Sequence, residues 1–219
     1  MTKTVLFILA FIPACLFGQQ TKKIIDKENY EVFYVLKSDK SIKHGNYQKF
    51  NYNGLTIVNG YFKNGIKDSI WEFYDNQGEL QQKFNFTKNE FIYYKSDDKT
   101  KGQIFSVIRE NDTIKTVLDR PPLYIGSETL MNENLFWNIK YPREARENGI
   151  TGTVYISFTI AKNGKTNNHK VARGIGYGCD EEALRVVKEI PDSWFPGLLN
   201  GQNVNVEILM PISFRIKQN

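Results

Sequence analysis

Two runs in the last third of the chain alternate apolar and polar residues with a period of two. In the first, Val154, Ile156, Phe158 and Ile160 share one face and Thr153, Tyr155, Ser157 and Thr159 the other. In the second, Val204, Val206, Ile208, Met210, Ile212, Phe214 and Ile216 all fall on even positions. A period of two predicts strands with one buried face. Between the runs, Ala183, Val186, Val187 and Ile190 recur at helical spacing and predict a helix over Cys179–Ile190. Asn163-Gly164 predicts a hairpin turn joining Gly152–Ala161 to Thr166–Arg173. Upstream, Leu130–Ile139 carries Met131, Leu135 and Ile139 on one helical face. Pro142 opens a short helix that Gly149 closes. The expected class is α+β: a C-terminal three-stranded antiparallel sheet packed on two helices, preceded by a β-meander of short repeats. Pro211 lacks an amide hydrogen, so the last strand is expected to be a sheet edge or to bulge there.

The meander is written as a repeat with an offset of 24 residues, from Lys43 to about Asn89. Tyr47 maps to Trp71 (71 − 47 = 24), Phe50 to Tyr74, Gly54 to Gly78, Gly60 to Phe84 and Phe62 to Phe86. Each unit predicts a strand, a turn at Tyr52-Asn53-Gly54 or Asn76-Gln77-Gly78, and a return strand. Asn64-Gly65 makes the turn between units, and Asn89–Tyr94 reads as a worn third copy. Ile24–Leu36, with Val32, Tyr34 and Leu36 alternating, predicts one strand before the repeat. The repeated aromatics suit either an exposed ligand platform or cross-strand core pairs, and the second is the expectation. Ser96–Gly102 is polar and reads as a linker. Ile104–Ile108 is a short strand, Asn111-Asp112 a turn, and Pro121-Pro122 holds Leu118–Ile125 extended. The expected partition is a signal peptide over 1–18, a repeat region over 19–100 and a C-terminal domain over 101–219 with its core at 141–216.

The stretch Gly45-Asn46-Tyr47-Gln48-Lys49-Phe50-Asn51-Tyr52-Asn53-Gly54 resembles MORN-like repeats of the bacterial kind. A more specific resemblance runs from about Val117 to Ile216. Tyr141-Pro142, Ala145, Gly149-Ile150, Gly152-Thr153-Val154, Phe158 and Gly164 stand in the spacing of a TonB C-terminal domain. So do Gly178-Cys179-Asp180-Glu181-Glu182-Ala183-Leu184-Arg185, Trp194, Pro196-Gly197, Gly201, Val204 and Pro211-Ile212-Ser213-Phe214. Asp119-Arg120-Pro121-Pro122 looks like the lead-in of Bacteroidetes-type members. The resemblance implies a protein that adds the extended N-terminal box of a TonB-dependent outer-membrane transporter as a strand beside its own last strand. The docking edge it implies is Val204, Asn205, Val206, Glu207, Ile208, Leu209, Met210, Pro211, Ile212, Ser213 and Phe214. Asn205, Glu207, Leu209, Ser213 and Arg215 are its outward positions. In such pairing main-chain hydrogen bonds supply affinity and alternate side chains supply selectivity. A full energy transducer also carries an inner-membrane helix and a Pro-rich spacer, and this chain shows neither. The alternative is an envelope interaction protein without energy transduction, its repeats doing the recognition and its C-terminal domain serving as a dimerising or surface-attaching unit.

Composition narrows the setting. Of 219 residues, 24% are charged and 14% aromatic, which suits a folded protein. The net charge of +5 is scattered rather than gathered on one face, so nucleic acid is not an expected partner. Lys3, the apolar run Val5–Ala14 and Gly18 before polar sequence predict a secretory signal peptide and hence the periplasm. That run is too short to span a bilayer, which needs about 20 apolar residues. Ile12-Pro13-Ala14-Cys15 also resembles a lipobox, making a lipoprotein anchored at Cys15 the alternative. Once Cys15 is removed, Cys179 is the remaining cysteine, so no internal disulfide is expected. Cys179 is read as a small residue under its helix rather than an activated thiolate.

Enzymatic chemistry is not expected. The two histidines, His44 and His169, have no Cys or acidic neighbours at metal spacing, and no cofactor is implied. Glu181-Glu182 reads as helix capping. Gly174-Ile175-Gly176-Tyr177-Gly178, with Asp192 beyond it, imitates a dinucleotide fingerprint. The strand before it belongs to an antiparallel hairpin, so a flexible strand-to-helix turn is expected.

Overall fold

The computed structural model describes residues 21–95 and 102–216, and the chain divides into two compact units, Met1–Lys95 and Ser96–Asn219. The signal peptide and most of the Ser96–Gly102 linker lie outside the described residues.

The first unit is a seven-stranded antiparallel meander in which each strand pairs with its chain neighbour. Its strands are β1 (Thr21–Asp26), β2 (Glu31–Leu36), β3 (Lys43–Phe50), β4 (Thr56–Lys63), β5 (Ile66–Tyr74), β6 (Leu80–Asn85) and β7 (Glu90–Tyr94). The single strand expected over Ile24–Leu36 is instead the β1–β2 hairpin. No glycine or proline marks its turn. Asp26 makes the turn by accepting the Glu28 and Asn29 amides, both at 3.0 Å. The 24-residue repeat reaches into the turns. Asn51 Oδ1 accepts the amides of Asn53 and Leu55, and Asp75 Oδ1 accepts those of Gln77 and Glu79. Tyr47, Trp71, Phe73 and Phe84 are buried with Val35, Ile57 and Val58. The Tyr47 and Trp71 rings stack at 5.3 Å, and Phe62 meets Trp71 edge-on at 5.0 Å. Tyr47 and Trp71 are therefore core, while Phe50, Phe62, Tyr74 and Phe86 are half-buried. A repeated cation seals them. Lys43 Nζ lies 4.9 Å from the Tyr47 ring, and Lys67 Nζ, one repeat later, 4.8 Å from Trp71. Burial, and then the neighbouring Lys43, push the Lys67 ammonium below the usual lysine range.

The second unit begins with β8 (Ile104–Ile108), β9 (Thr113–Val117) and β10 (Leu123–Tyr124), followed by helices α1 (Ser127–Asn138) and α2 (Arg143–Glu147). Then come β11 (Gly152–Ile160), β12 (Thr166–Arg173), α3 (Cys179–Lys188), β13 (Trp194–Phe195), β14 (Gly197–Leu199) and β15 (Gln202–Phe214). The sheet is larger than the expected three strands. Its order is β12-β11-β15-β8-β9, with β14 also pairing β15, while β10 and β13 form a separate pair. The expected trio is present as its β12-β11-β15 part. The enlargement comes from the β8–β9 hairpin, whose return strand Thr113–Val117 was not anticipated.

One core fills the helical side. Val154, Ile156, Phe158 and Ile160 from β11 and Met210, Ile212 and Phe214 from β15 pack with Cys179, Ala183 and Val187 from α3 and Ala145 from α2. Met131, Leu135 and Ile139 line the same cluster, so three helices, not two, cover this face. Full burial of such side chains stabilises by about 1.5–3 kcal/mol each before entropy is charged. The even-position rule fails only at the end. β15 stops at Phe214, and Ile216 is exposed. A second, smaller cluster of Val107, Leu118 and Val206 ties β8 to β15.

Candidate docking edge

β15 is held from behind by its longest partner. It pairs with β11 without a register shift from Val206↔Ile160 to Phe214↔Gly152. On its other side it pairs with β8 only through Asn205↔Ile108, Val206↔Val107 and Glu207↔Ser106. β14 takes Gln202–Val204. The edge expected over Val204–Phe214 is thus shorter. Val206 and Glu207 sit between two strands, and Val204 and Asn205 are already paired with β14 and β8. Beyond Glu207 no described strand pairs with β15 on the side away from β11, so the open edge is Ile208–Phe214. Pro211 lies in that stretch, opposite Tyr155, and needs no bulge. Of the residues on the open edge, Met210, Ile212 and Phe214 point into the core, and Leu209, Pro211 and Ser213 are exposed.

The outer face beside this edge is polar and partly ordered. Ser157 donates to Glu207 Oε1 at 2.5 Å, and Lys170 Nζ lies 3.5 Å from the same oxygen. Thr153 and Ser213 hydroxyls approach to 3.3 Å. Asn205 Oδ1 accepts the Lys162 amide at 2.9 Å. Asn205 is therefore a turn anchor and not the outward contact expected of it. Arg173 lies over the Tyr155 ring at 5.0 Å.

The other motif residues are scaffold. The Tyr141 hydroxyl donates to the Ile150 carbonyl, and its ring meets Phe214 edge-on at 5.6 Å. Pro142 precedes α2 and lies against Gly178. Gly152 opens β11 opposite Phe214. Asp180 reaches back to accept the amides of Ile175 (2.8 Å) and Gly176 (3.2 Å). These are the amides that a bound pyrophosphate would need, so the glycine loop is an anchored turn. Glu181 is exposed in the first turn of α3, where its charge suits the helix dipole. Glu182 has a longer reach than a cap. It accepts the Lys140 amide at 2.6 Å and pairs with Arg185, whose Nη2 donates to the Asn138 carbonyl at 2.7 Å. Together they pin the end of α1 to α3. Ala183 and Cys179 are fully buried. Burial, and then Asp180 and Glu181, push the Cys179 thiol up, away from thiolate chemistry.

Trp194 stacks edge-on with Tyr124 at 5.3 Å and leans on Phe158 at 5.8 Å. The Pro196 carbonyl accepts Arg120 Nη2 at 3.0 Å while the guanidinium covers the Phe195 ring at 4.4 Å. This gives the Asp119–Pro122 lead-in a role, namely to fasten the route into β15. A Cβ on Gly197 would come within 2.8 Å of Val206, so only glycine lets β14 lie this close. Sequence reasoning placed the Ile104–Ile108 strand and the turn after it but missed the return strand Thr113–Val117, and so the hairpin that shortens the edge. Its signal was present: two five-residue runs, Ile104–Ile108 and Thr113–Val117, on either side of Asn111-Asp112.

Among the described residues no group of three or more His, Cys, Asp and Glu side chains is placed to hold a metal ion. Nor is any described helix long and apolar enough to cross a membrane. Residues 138–216 match the family model of the Gram-negative bacterial TonB protein C-terminal. The NMR solution structure of the Helicobacter pylori TonB-CTD aligns at 24% identity, covering 43% of this chain and 89% of that one, with a TM-score of 0.33. No curated protein matches the chain. The segment 138–216, which holds the Tyr141-Pro142 corner, the Glu182–Arg185 clamp and the long last strand, is thus the part of this chain that matches the TonB C-terminal domain family.

Proposed function

We propose that this is an exported, periplasmic TonB-like protein. In this reading its C-terminal unit captures the N-terminal box of a TonB-dependent outer-membrane transporter as an added strand, in energy-coupled transport. One observation carries it. From Val206 to Phe214 β15 is paired to β11 and backed by the core, yet beyond Glu207 its other side is unpaired among the described residues. An unpaired run of backbone on a rigid strand is a template for strand addition. The repeats before it are MORN-like, and the signal peptide over 1–18 brings the chain to the periplasm. Both belong to this proposal.

The second reading, an envelope interaction protein without energy transduction, draws on the meander. There a cleft of about 160 Å³ is lined by Ile25, Tyr30, Val32, Phe50 and Tyr52, with Tyr30 and Tyr52 exposed at its rim. A photo-crosslinking amino acid placed in cells at Leu209 or at Tyr52 separates the two. The proposal expects adducts from Leu209 to the periplasmic N-terminal segment of an outer-membrane transporter. Adducts from Tyr52 alone would favour the second reading and sink the first.

A further inference from the structure

Resting on the strand-addition reading, we infer that the guest strand is selected by one apolar side chain. This side chain is seated where β8 parts from β15, between Leu209 and the Ile104–Val117 pair. The pairing register places these three residues together. β8 follows β15 only as far as Ser106↔Glu207, and its remaining residues, Ile104 and Phe105, pair with β9 alone, as Ile104↔Val117 and Phe105↔Thr116. Val107 and Val206 face the core, so Ser106 and Glu207 face away from it. Two residues further along each strand, Ile104 and Leu209 face the same outer side, and Val117 sits across from Ile104.

All three are exposed, Ile104 by 65%, Leu209 by 57% and Val117 by 49%. Beside them on this side Ser106, Lys115, Ser157 and Glu207 are polar, and Pro211, two residues past Leu209, is the next exposed apolar position along β15. An apolar trio at the mouth of a fork, within a polar face, is a contact waiting for a side chain. A strand added along Ile208–Phe214 places the residue opposite Leu209 on this same side, with its Cβ about 4.5–5.5 Å away. The surrounding charge describes the rest of the guest. Lys115, Lys170 and Arg173 lie on this face, against the single carboxylate Glu207 that Lys170 already partners. The occupant is therefore an extended segment with one bulky aliphatic residue and acidic neighbours. β8 and β9 lie outside residues 138–216, so this selectivity belongs to what the present chain adds to the family domain.

The test uses the full chain and nine-residue peptides of threonine, with glutamate at both ends and one leucine walked through the interior. Binding is read by fluorescence anisotropy. One leucine position is expected to bind about tenfold more tightly than the all-threonine parent, as partial burial of a leucine allows. The advantage is expected to collapse in an Ile104→Ser, Val117→Ser double variant whose thermal transition is unchanged. No preferred position, or a preference that the double variant keeps, overturns the inference. N-methylating alternate amides of the best peptide reports on the underlying reading: loss of binding supports strand addition, and unchanged binding refutes it. Failure of every peptide to bind overturns both.

Discussion

The six-membered ring of Trp71 lies over the backbone of Gly60. A Cβ built on Gly60 would come within 2.2 Å of Trp71 Cδ2. Gly60 faces Tyr47 across β3 and β4, where the following repeat pairs Trp71 with Phe84. One repeat thus leaves out a side chain so that the next can set its indole there. Gly60→Ala is expected to destabilise the meander by about 1–3 kcal/mol through overpacking. Urea unfolding followed by circular dichroism, which reads the meander with or without Trp71, measures the loss. Because the three atoms nearest that Cβ all belong to this ring, the alanine is expected to cost much less in a Trp71→Leu background. Equal costs in both backgrounds would mean that the glycine serves the backbone.

The Glu182 clamp predicts a pH dependence. The hydrogen bond from Arg185, with further help from the Lys140 amide, holds the Glu182 carboxyl below the usual glutamate value of 4.5. A lowered carboxylate pKa adds stability that is present above 4.5 and is lost as pH falls through the folded value. Glu182→Gln is expected to cost about 1–3 kcal/mol at pH 7, the value of hydrogen bonds to a charged group in a largely buried site. The gap from wild type is expected to narrow as the pH is lowered below 4.5. Thermal melts of the two proteins at pH 7 and pH 3 check this.

His169 acts in the same sense at higher pH. Its ring stacks on Phe158 at 5.3 Å, and burial and then Lys188 lower its pKa from 6.5, against a smaller opposing effect of Asp192. The unfolded chain therefore takes up this proton at a higher pH than the folded chain does. Stability contributed at this site is expected to fall as pH drops below 6.5, levelling off once the folded ring is protonated. His169→Gln is expected to flatten that slope in urea titrations between pH 7.5 and 5. An unchanged slope would place the proton uptake elsewhere.

The two faces of β15 are separable by charge. Ile212 is 4% exposed in the core, and its neighbour Ser213 is exposed beside Thr153. Ile212→Lys is expected to abolish the cooperative unfolding of the second unit, since a buried unpaired ammonium has no compensation here. Ser213→Lys is expected to leave the melting temperature nearly unchanged while altering partner binding. Circular dichroism melts decide the first point and peptide titration the second.

The contrast among these residues shows what was readable beforehand. The alternation of β11 and β15 and the helical stripe Ala183-Val186-Val187-Ile190 were legible because burial on one face imprints a strict period. The aromatic repeat was legible for the same reason. What escaped were contacts made across long sequence separations by polar groups, such as Glu182 with the Lys140 amide and Arg120 with the Pro196 carbonyl. Nothing periodic announces them. The open edge was misjudged at its start because one-sided burial is the same for a strand with one neighbour or two. Which strand lies beside β15 is decided by pairing, and the β8–β9 hairpin leaves too short a pattern to declare its neighbour. The β1–β2 turn was missed because it rests on Asp26 rather than on glycine or proline.

The central claim is that Ile208–Phe214 is the segment of this chain that receives a partner's backbone. Hydrogen–deuterium exchange of the full chain, with and without the periplasmic N-terminal segment of a candidate transporter, tests it most directly. Slowed exchange confined to Ile208–Phe214, with Ile104–Ile108 and the meander unchanged, is the result expected from an added strand. Protection that appears in the meander around Tyr30 and Tyr52 while Ile208–Phe214 exchanges as before would contradict the account.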